Sequence, residues 1–177
     1  AGNCLALALK NSGLSLAVVE AASRRQLRDS PAGDRALALA AGTVQLLDAL
    51  GAWEGVAEKA TAIKNIHISD RGHFGKTRLS AAEQGVDALG YVIAARDIEE
   101  HLANLVEQTA VTCLYETRVA GVMSGRDAVN VSLKQHNQSL NLSAQLLVGA
   151  DGGQSTVRKL LDIPQQVTEY GQTALVT

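Results

Sequence analysis

Two places in the chain set a carboxylate at the end of an apolar run, with glycine close by. In the first, Gly2 opens a stretch with a helical stripe, and Glu20 closes the run LSLAVVE about 18 residues on. A glycine at a helix start lets the helix pack closely on a sheet, and an acid at that distance accepts hydrogen bonds from a ribose. The helix N-terminus turns unpaired N–H groups and a positive dipole end toward anionic oxygens. Together these could hold a dinucleotide. The same residues also make an ordinary αβ unit with a solvated glutamate, and spacing alone leaves both readings open.

The second place is Gly149-Ala150-Asp151-Gly152-Gly153-Gln154-Ser155-Thr156-Val157-Arg158. An apolar run ends in Asp151, two glycines permit a tight turn, and a helix is expected from about Ser155. Ligands of open α/β sheets bind beyond the carboxyl ends of the strands, where Asp151 would meet a ribityl or ribose chain. A turn with a capping serine and an aspartate near a helix dipole accounts for the block equally well. Elsewhere the side chains offer less. His67, His73, His101 and His136 have no metal-ligand spacing, so no metal is expected. Ser155 is not in a GxSxG elbow. Asp70, Arg71 and His73 share a turn that could face an aromatic substrate, although a polar turn explains them too. No residue stands out as an acid, a base or a nucleophile.

Composition narrows the class. The chain has 177 residues, room for one domain or two small ones, and its 46% hydrophobic and 19% charged residues exclude disorder. Aromatics at 3% argue against base stacking, and a net charge of −2 leaves no basic footprint, so no nucleic-acid partner is expected. Cys4 and Cys113 read as two buried thiols in a reducing compartment. No apolar run approaches the roughly 20 residues of a membrane span, and no signal peptide is visible. The chain starts at Ala1 without a leader and ends in apolar Leu175-Val176-Thr177, so both ends read as cut from a longer protein.

The elements that must position these residues follow from periodicity. Helices are predicted over 2–12, 43–50, 53–60 and 96–108, the last with Ile98, Leu102, Leu105 and Val106 on one stripe. Strands are predicted over 14–20, 111–115 and 146–150, with 23–34 a loop and 62–79 a hairpin. Arg118–Met123, Ala128–Leu133 and Ser139–Ser143 make a three-stranded meander. A helix carrying Val157, Leu160 and Leu161 ends before Pro164. Helices alternating with short apolar strands mean α/β, a mostly parallel sheet with a small antiparallel insertion.

The succession GNCLALALKNSGLSLAVVE, GDRALALAAGTVQLLDALG, YVIAARDIEEHL and LLVGADGGQSTVRKLL resembles the class A FAD-dependent aromatic hydroxylases, whose fold is that of p-hydroxybenzoate hydroxylase. Within them, GDRALALAAGTVQLL and IHISDRGHFG are most similar to the 2-polyprenyl-6-methoxyphenol hydroxylases of ubiquinone biosynthesis. The resemblance runs over essentially the whole chain, and the DG block is its most specific motif. It implies a Rossmann-like FAD-binding fold with the antiparallel meander and part of a β-rich substrate domain. Residues 1–60 and 91–165 would be FAD-binding parts, 61–90 a substrate-domain hairpin, and 166–177 the start of the substrate-domain sheet.

Residue by residue, the resemblance implies that Gly2 is the last glycine of the FAD fingerprint and that Glu20 binds the adenosine ribose. Arg35 would lie along the ribityl or pyrophosphate, and Arg96 would contact FAD from the other side. Asp151 and Gly152 would serve both FAD and a transient NAD(P)H, with Arg158 bracing their turn. Each arginine is equally an ordinary surface charge by local sequence, and Arg158 has Asp162 in reach at i+4. The implied activity is NAD(P)H-driven monooxygenation of a phenolic, polyprenylated ubiquinone precursor through a flavin hydroperoxide. The implied partners are that aromatic substrate, O₂, and a membrane surface or ubiquinone-biosynthesis complex, in a cytoplasmic protein peripheral to the inner membrane. A hydroxylase of a small soluble aromatic and a non-catalytic nucleotide-binding module are the rival readings.

The family also opens with a strand and two earlier glycines, and carries a later Gly-Asp; the sequence has none of these. The expectation is an N-terminal half that cannot by itself hold FAD tightly or turn over. Loss of that first strand would leave the runs at 15–20 and 146–150 with unpaired edges.

Overall fold

Gly2–Leu9 forms the first helix, α1, in the computed structural model, which describes residues 1–70 and 72–173. The helix is shorter than its apolar stripe. Ser12 Oγ donates to the Leu9 carbonyl, and Gly13 takes the left-handed conformation (φ +78°) that turns the chain back into β1, Ala17–Val19. β1 pairs in parallel with β7, Thr112–Leu114, in the register Val18↔Cys113.

The stretch 23–34, expected as a loop, is instead ordered twice over. Ser23 and Gln26 make a capping box: Ser23 Oγ accepts from the Gln26 N–H and Gln26 Oε1 accepts from the Ser23 N–H. That starts α2, Arg24–Arg28; Ser30 then caps a 3-10 turn, Pro31–Asp34. Two strands also went unassigned by periodicity. β2, Ala36–Ala40, alternates Leu37 and Leu39 inward with exposed alanines, and β6, Gly90–Ala94, lies against it. With β3, Thr61–Ile63, they form an antiparallel sheet in the order β2-β6-β3. Gly90 sits between Ala40 and Ile63, where a Cβ would come within 2.3 Å of the Leu39 carbonyl oxygen.

α3 (Ala41–Ala49) and α4 (Glu54–Ala57) follow β2. β4 (Asn65–Ser69) and β5 (Lys76–Ser80) make the expected hairpin, pairing Ile66 with Leu79; Arg71, in its turn, lies outside the described residues. α5, Ala95–Glu107, presents Ile98, Leu102 and Val106 to a core shared with Ala6, Leu7, Leu47, Val56 and Ile93. These elements, from Ala1 to Thr117, are one of two compact units.

The second unit runs from Arg118. β8 (Thr117–Ser124), β9 (Val129–Gln135) and β10 (Gln138–Ala144) form the expected meander in the order β10-β9-β8, with Val131 and Leu133 buried. Residues 146–150 do not form the expected strand. They have no ladder partner among the described residues, and Leu146 and Val148 stay 76% and 51% exposed. An apolar run signals a need for burial, but a strand forms only where a neighbour offers its edge. α6, Thr156–Leu160, starts on Ser155 and ends as Asp162 turns left-handed (φ +51°), two residues before Pro164. Residues 163–173 are irregular, and 174–177, the rest of the stretch expected to begin a further sheet, lie outside the described residues.

Candidate functional site

In the first unit α1 leads through a short turn at Gly13 into β1, and the two elements pack against each other; in an αβ unit of this kind the helix N-terminus and the strand's carboxyl end lie toward the ligand-binding side. Gly2 is the first residue of α1. That helix has Ala1 as its N-cap, so no side chain accepts from its leading N–H groups, and its first turn holds no acidic residue. Glu20 continues the ladder beyond β1, its N–H donating to the Leu114 carbonyl at 2.9 Å, and its own carbonyl accepts from the Thr117 N–H at 2.9 Å. The half-buried carboxylate is fixed in turn: Oε1 accepts from the Ala22 N–H at 2.9 Å. The other oxygen has no protein partner among the described residues.

Behind this edge, Arg24 binds α2 to α5. Its Nε lies 3.1 Å from Glu107 Oε1, a terminal nitrogen donates to Asn104 Oδ1, and its guanidinium carbon lies 5.9 Å from the centre of the Tyr115 ring. Burial, then the hydrogen bond and charge of Glu107, push the Tyr115 phenol up; burial also raises the Cys113 thiol. Both shifts favour the protonated form. This cluster was invisible to sequence reading, because Arg24 and Asn104 are 80 residues apart.

The two arginines near the other end of the unit meet around one segment. Arg35 follows the 3-10 turn and directly precedes β2. Its Nε donates to the Ala32 carbonyl at 3.0 Å. Arg96, the second residue of α5, donates to the Arg28 and Ser30 carbonyls and pairs with Asp34, a residue sequence reading did not single out. In the β4–β5 turn, His73 Nδ1 and Asp70 Oδ2 lie 2.8 Å apart and both side chains are exposed, as in any polar turn.

In the second unit the DG block is a helix start built around Asp151. Oδ1 accepts from the Ser155 hydroxyl, and Oδ2 from the Thr156 and Val157 N–H groups, the latter at 3.2 Å. Gly152 adopts φ +78°, a conformation that favours glycine, and Arg158 braces the turn by donating to the Gly153 carbonyl at 2.8 Å. No ion pair between Arg158 and Asp162 forms among the described residues. Beside the turn lies an open cavity of about 340 Å³ lined by Leu147, Gly149, Gly152, Ser155, Val157 and Arg158, among others.

Burial tends to raise the Asp151 carboxyl, but the hydrogen bonds from Ser155, Val157 and Thr156 and from its own N–H outweigh it and hold the group below the ordinary aspartate value. A depressed folded-state value stabilises the fold above the unfolded value and loses that contribution as pH falls through the folded one. The stability gap between the wild type and Asp151→Asn, measured by urea unfolding from about pH 6 to about pH 3, will therefore be full at the upper end and shrink at the lower. A gap independent of pH over that range would mean that the charge on Asp151 contributes nothing.

Among the described residues no three His, Cys, Asp or Glu side chains gather as metal ligands, and no helix is long and apolar enough to cross a membrane. A family model described as FAD binding domain matches residues 1–176. Uncharacterized protein slr1300 of Synechocystis is 29% identical over 98% of this chain and 42% of its own length. Ubiquinone hydroxylase UbiL of Rhodospirillum rubrum is 30% identical over 99% of this chain and 40% of its own. The solved structure of OxyS anhydrotetracycline hydroxylase from Streptomyces rimosus superposes with a TM-score of 0.76 at 26% identity, over 93% of this chain and 33% of that one. The chain thus spans about two fifths of the length of these curated relatives.

Proposed function

This chain belongs to the FAD binding domain family, and from that premise we propose that the whole protein is an FAD-dependent, NAD(P)H-using monooxygenase that hydroxylates a phenolic ring. The observation that carries the reading is the α1 start at Gly2 together with the fixed carboxylate of Glu20 just beyond β1. An uncapped helix start offers N–H groups to an anion, and a fixed, half-buried carboxylate offers an oxygen to a hydroxyl. That donor and acceptor set suits the pyrophosphate and adenosine ribose of FAD.

In this reading the α1 N–H groups, beginning at Gly2, bind the pyrophosphate and Glu20 orients the ribose. Arg35 and Arg96 belong to the FAD site from the 3-10 turn and α5. Asp151, Gly152 and Arg158 supply a preformed turn for FAD and for the transient NAD(P)H. Electron uptake from NAD(P)H and activation of O₂ are the chemistry FAD supplies when bound. Residues 1–60 and 91–165 serve FAD, and the hairpin within 61–90 faces the substrate.

The substrate we propose is a polyprenylated ubiquinone precursor, supported by the likeness to a ubiquinone hydroxylase. Such a substrate implies a cytoplasmic protein working against the inner membrane or within a ubiquinone-biosynthesis complex. The test is the visible spectrum of the purified whole protein, followed by NAD(P)H oxidation with a polyprenyl phenol and with a short soluble phenol. Flavin bands and faster oxidation with the polyprenyl phenol are expected. A colourless protein overturns the enzyme reading; equal or better response to the soluble phenol overturns the substrate.

A further inference from the structure

Phe74 is the chain's single phenylalanine, and it stands wholly in solvent, more exposed than any other large apolar side chain among the described residues. It sits at the tip of the β4–β5 hairpin, between Gly72 (φ +84°) and Gly75 (φ +126°), whose left-handed backbone forms the turn. The strands behind it have two unlike faces. Residues paired across an antiparallel ladder lie on one side of it. The register sets His67 against Arg78 and Ser69 against Lys76 on one face, and Ile66 against Leu79 and Ile68 against Thr77 on the other. Arg78 Nε donates to His67 Nδ1 at 3.2 Å, and Asp70, the one acid of the hairpin, lies 2.8 Å from His73 Nδ1. Ile68 and Leu79 remain 58% and 39% exposed. By sequence, residues 65–80 hold Arg71, Lys76 and Arg78 against Asp70 alone, in a chain whose net charge is −2. An isolated exposed apolar residue is ordinary. An aromatic tip continuous with one apolar and one basic face is the makeup of a segment that lies at a lipid interface.

We propose that the β4–β5 hairpin docks the protein onto an anionic lipid bilayer, with Phe74 entering the boundary between headgroups and acyl chains and Lys76 and Arg78 on the lipid phosphates. At no more than about 3.5 Å of chain per residue, the Lys76 backbone lies within roughly 7 Å of the tip, inside the ~5–10 Å over which interfacial segments bury their apolar groups. Each basic side chain near an anionic leaflet is worth roughly fivefold in binding. The proposal deepens the reading above and rests on its membrane-borne substrate: a hairpin that faces the substrate meets a polyprenyl chain where it leaves the bilayer.

The test is cosedimentation of the whole protein with vesicles, either of phosphatidylglycerol and phosphatidylcholine in equal parts or of phosphatidylcholine alone. It contains neither substrate nor nicotinamide, so it can fail while the oxidation assay supports the substrate, and the reverse. We expect binding to the mixed vesicles to be tighter than to the neutral ones by roughly tenfold or more. Phe74→Ser should weaken it roughly tenfold, and Lys76→Gln with Arg78→Gln roughly 25-fold. Added salt screens the charges, so it should close the gap between the wild type and the double variant and leave the Phe74→Ser deficit in place. Phe74→Trp then locates the tip. Lipids brominated in their tails should quench fluorescence from Trp at position 74, and should leave that of Trp53 in the wild type, half-buried beside Tyr91, unchanged. All three substituted positions are exposed, and urea unfolding checks that each variant is folded. Equal binding to neutral vesicles, no vesicle binding, or unchanged binding in both variants would overturn the proposal. So would a smaller oligomeric mass in Phe74→Ser with vesicle binding intact, which makes the tip a contact between protein molecules.

Discussion

Replacing Glu20 by alanine in the whole protein will weaken FAD binding by about 1–3 kcal/mol, roughly 5- to 150-fold in Kd. The loss has two sources, and a second variant separates them. Glu20 offers a charged acceptor beyond β1, and its Oε1 also holds the Ala22 N–H at the entry to α2. Glu20→Gln keeps an amide oxygen for Ala22 while removing the charge, so it will recover the loop but only part of the affinity. Fluorescence titration of the two variants checks this. If alanine leaves Kd unchanged, Glu20 is a tether for its own loop and nothing more.

The largest effect on stability will come from Gly90→Ala, about 3 kcal/mol. The added methyl would overlap the Leu39 carbonyl oxygen, which belongs to the β2–β6 ladder and cannot rotate away. β6 is the middle strand of its sheet, so pushing β2 aside also disturbs the edge of the core that contains Ile93. Gly121→Ala is the control: its Cβ would meet Ser132 at 3.6 Å, an ordinary contact. Chemical denaturation should show a large loss for the first and little for the second. Equal losses would mean that flexibility, and not space, requires glycine at position 90.

Local pattern made some of this legible. The stripe Ile98, Leu102, Val106 announces α5, because only one face of that helix is apolar and it points inward. The alternation Val129, Val131, Leu133 announces β9. The capping box at Ser23 and Gln26 was also in the sequence, but Pro31 and Gly33 drew the whole region into a loop reading. β2 was missed because alanine at every second position gives little polarity contrast, and β6 because it passes directly into α5. Of the site, Glu20 and Asp151 were visible as carboxylates ending apolar runs. What holds Arg96 was not, since Asp34 lies 62 residues away in the chain and no spacing rule links the two.

The bare stretch at 146–150 has a further consequence. LLVGA carries no charge, has no ladder partner among the described residues and leaves Leu146 and Val148 exposed, so its edge is open to another strand. The residue that follows it is Asp151, whose carboxyl is held ionised to lower pH than an ordinary aspartate. A charge placed directly after an unpaired apolar run is the kind of residue that opposes strand-to-strand association.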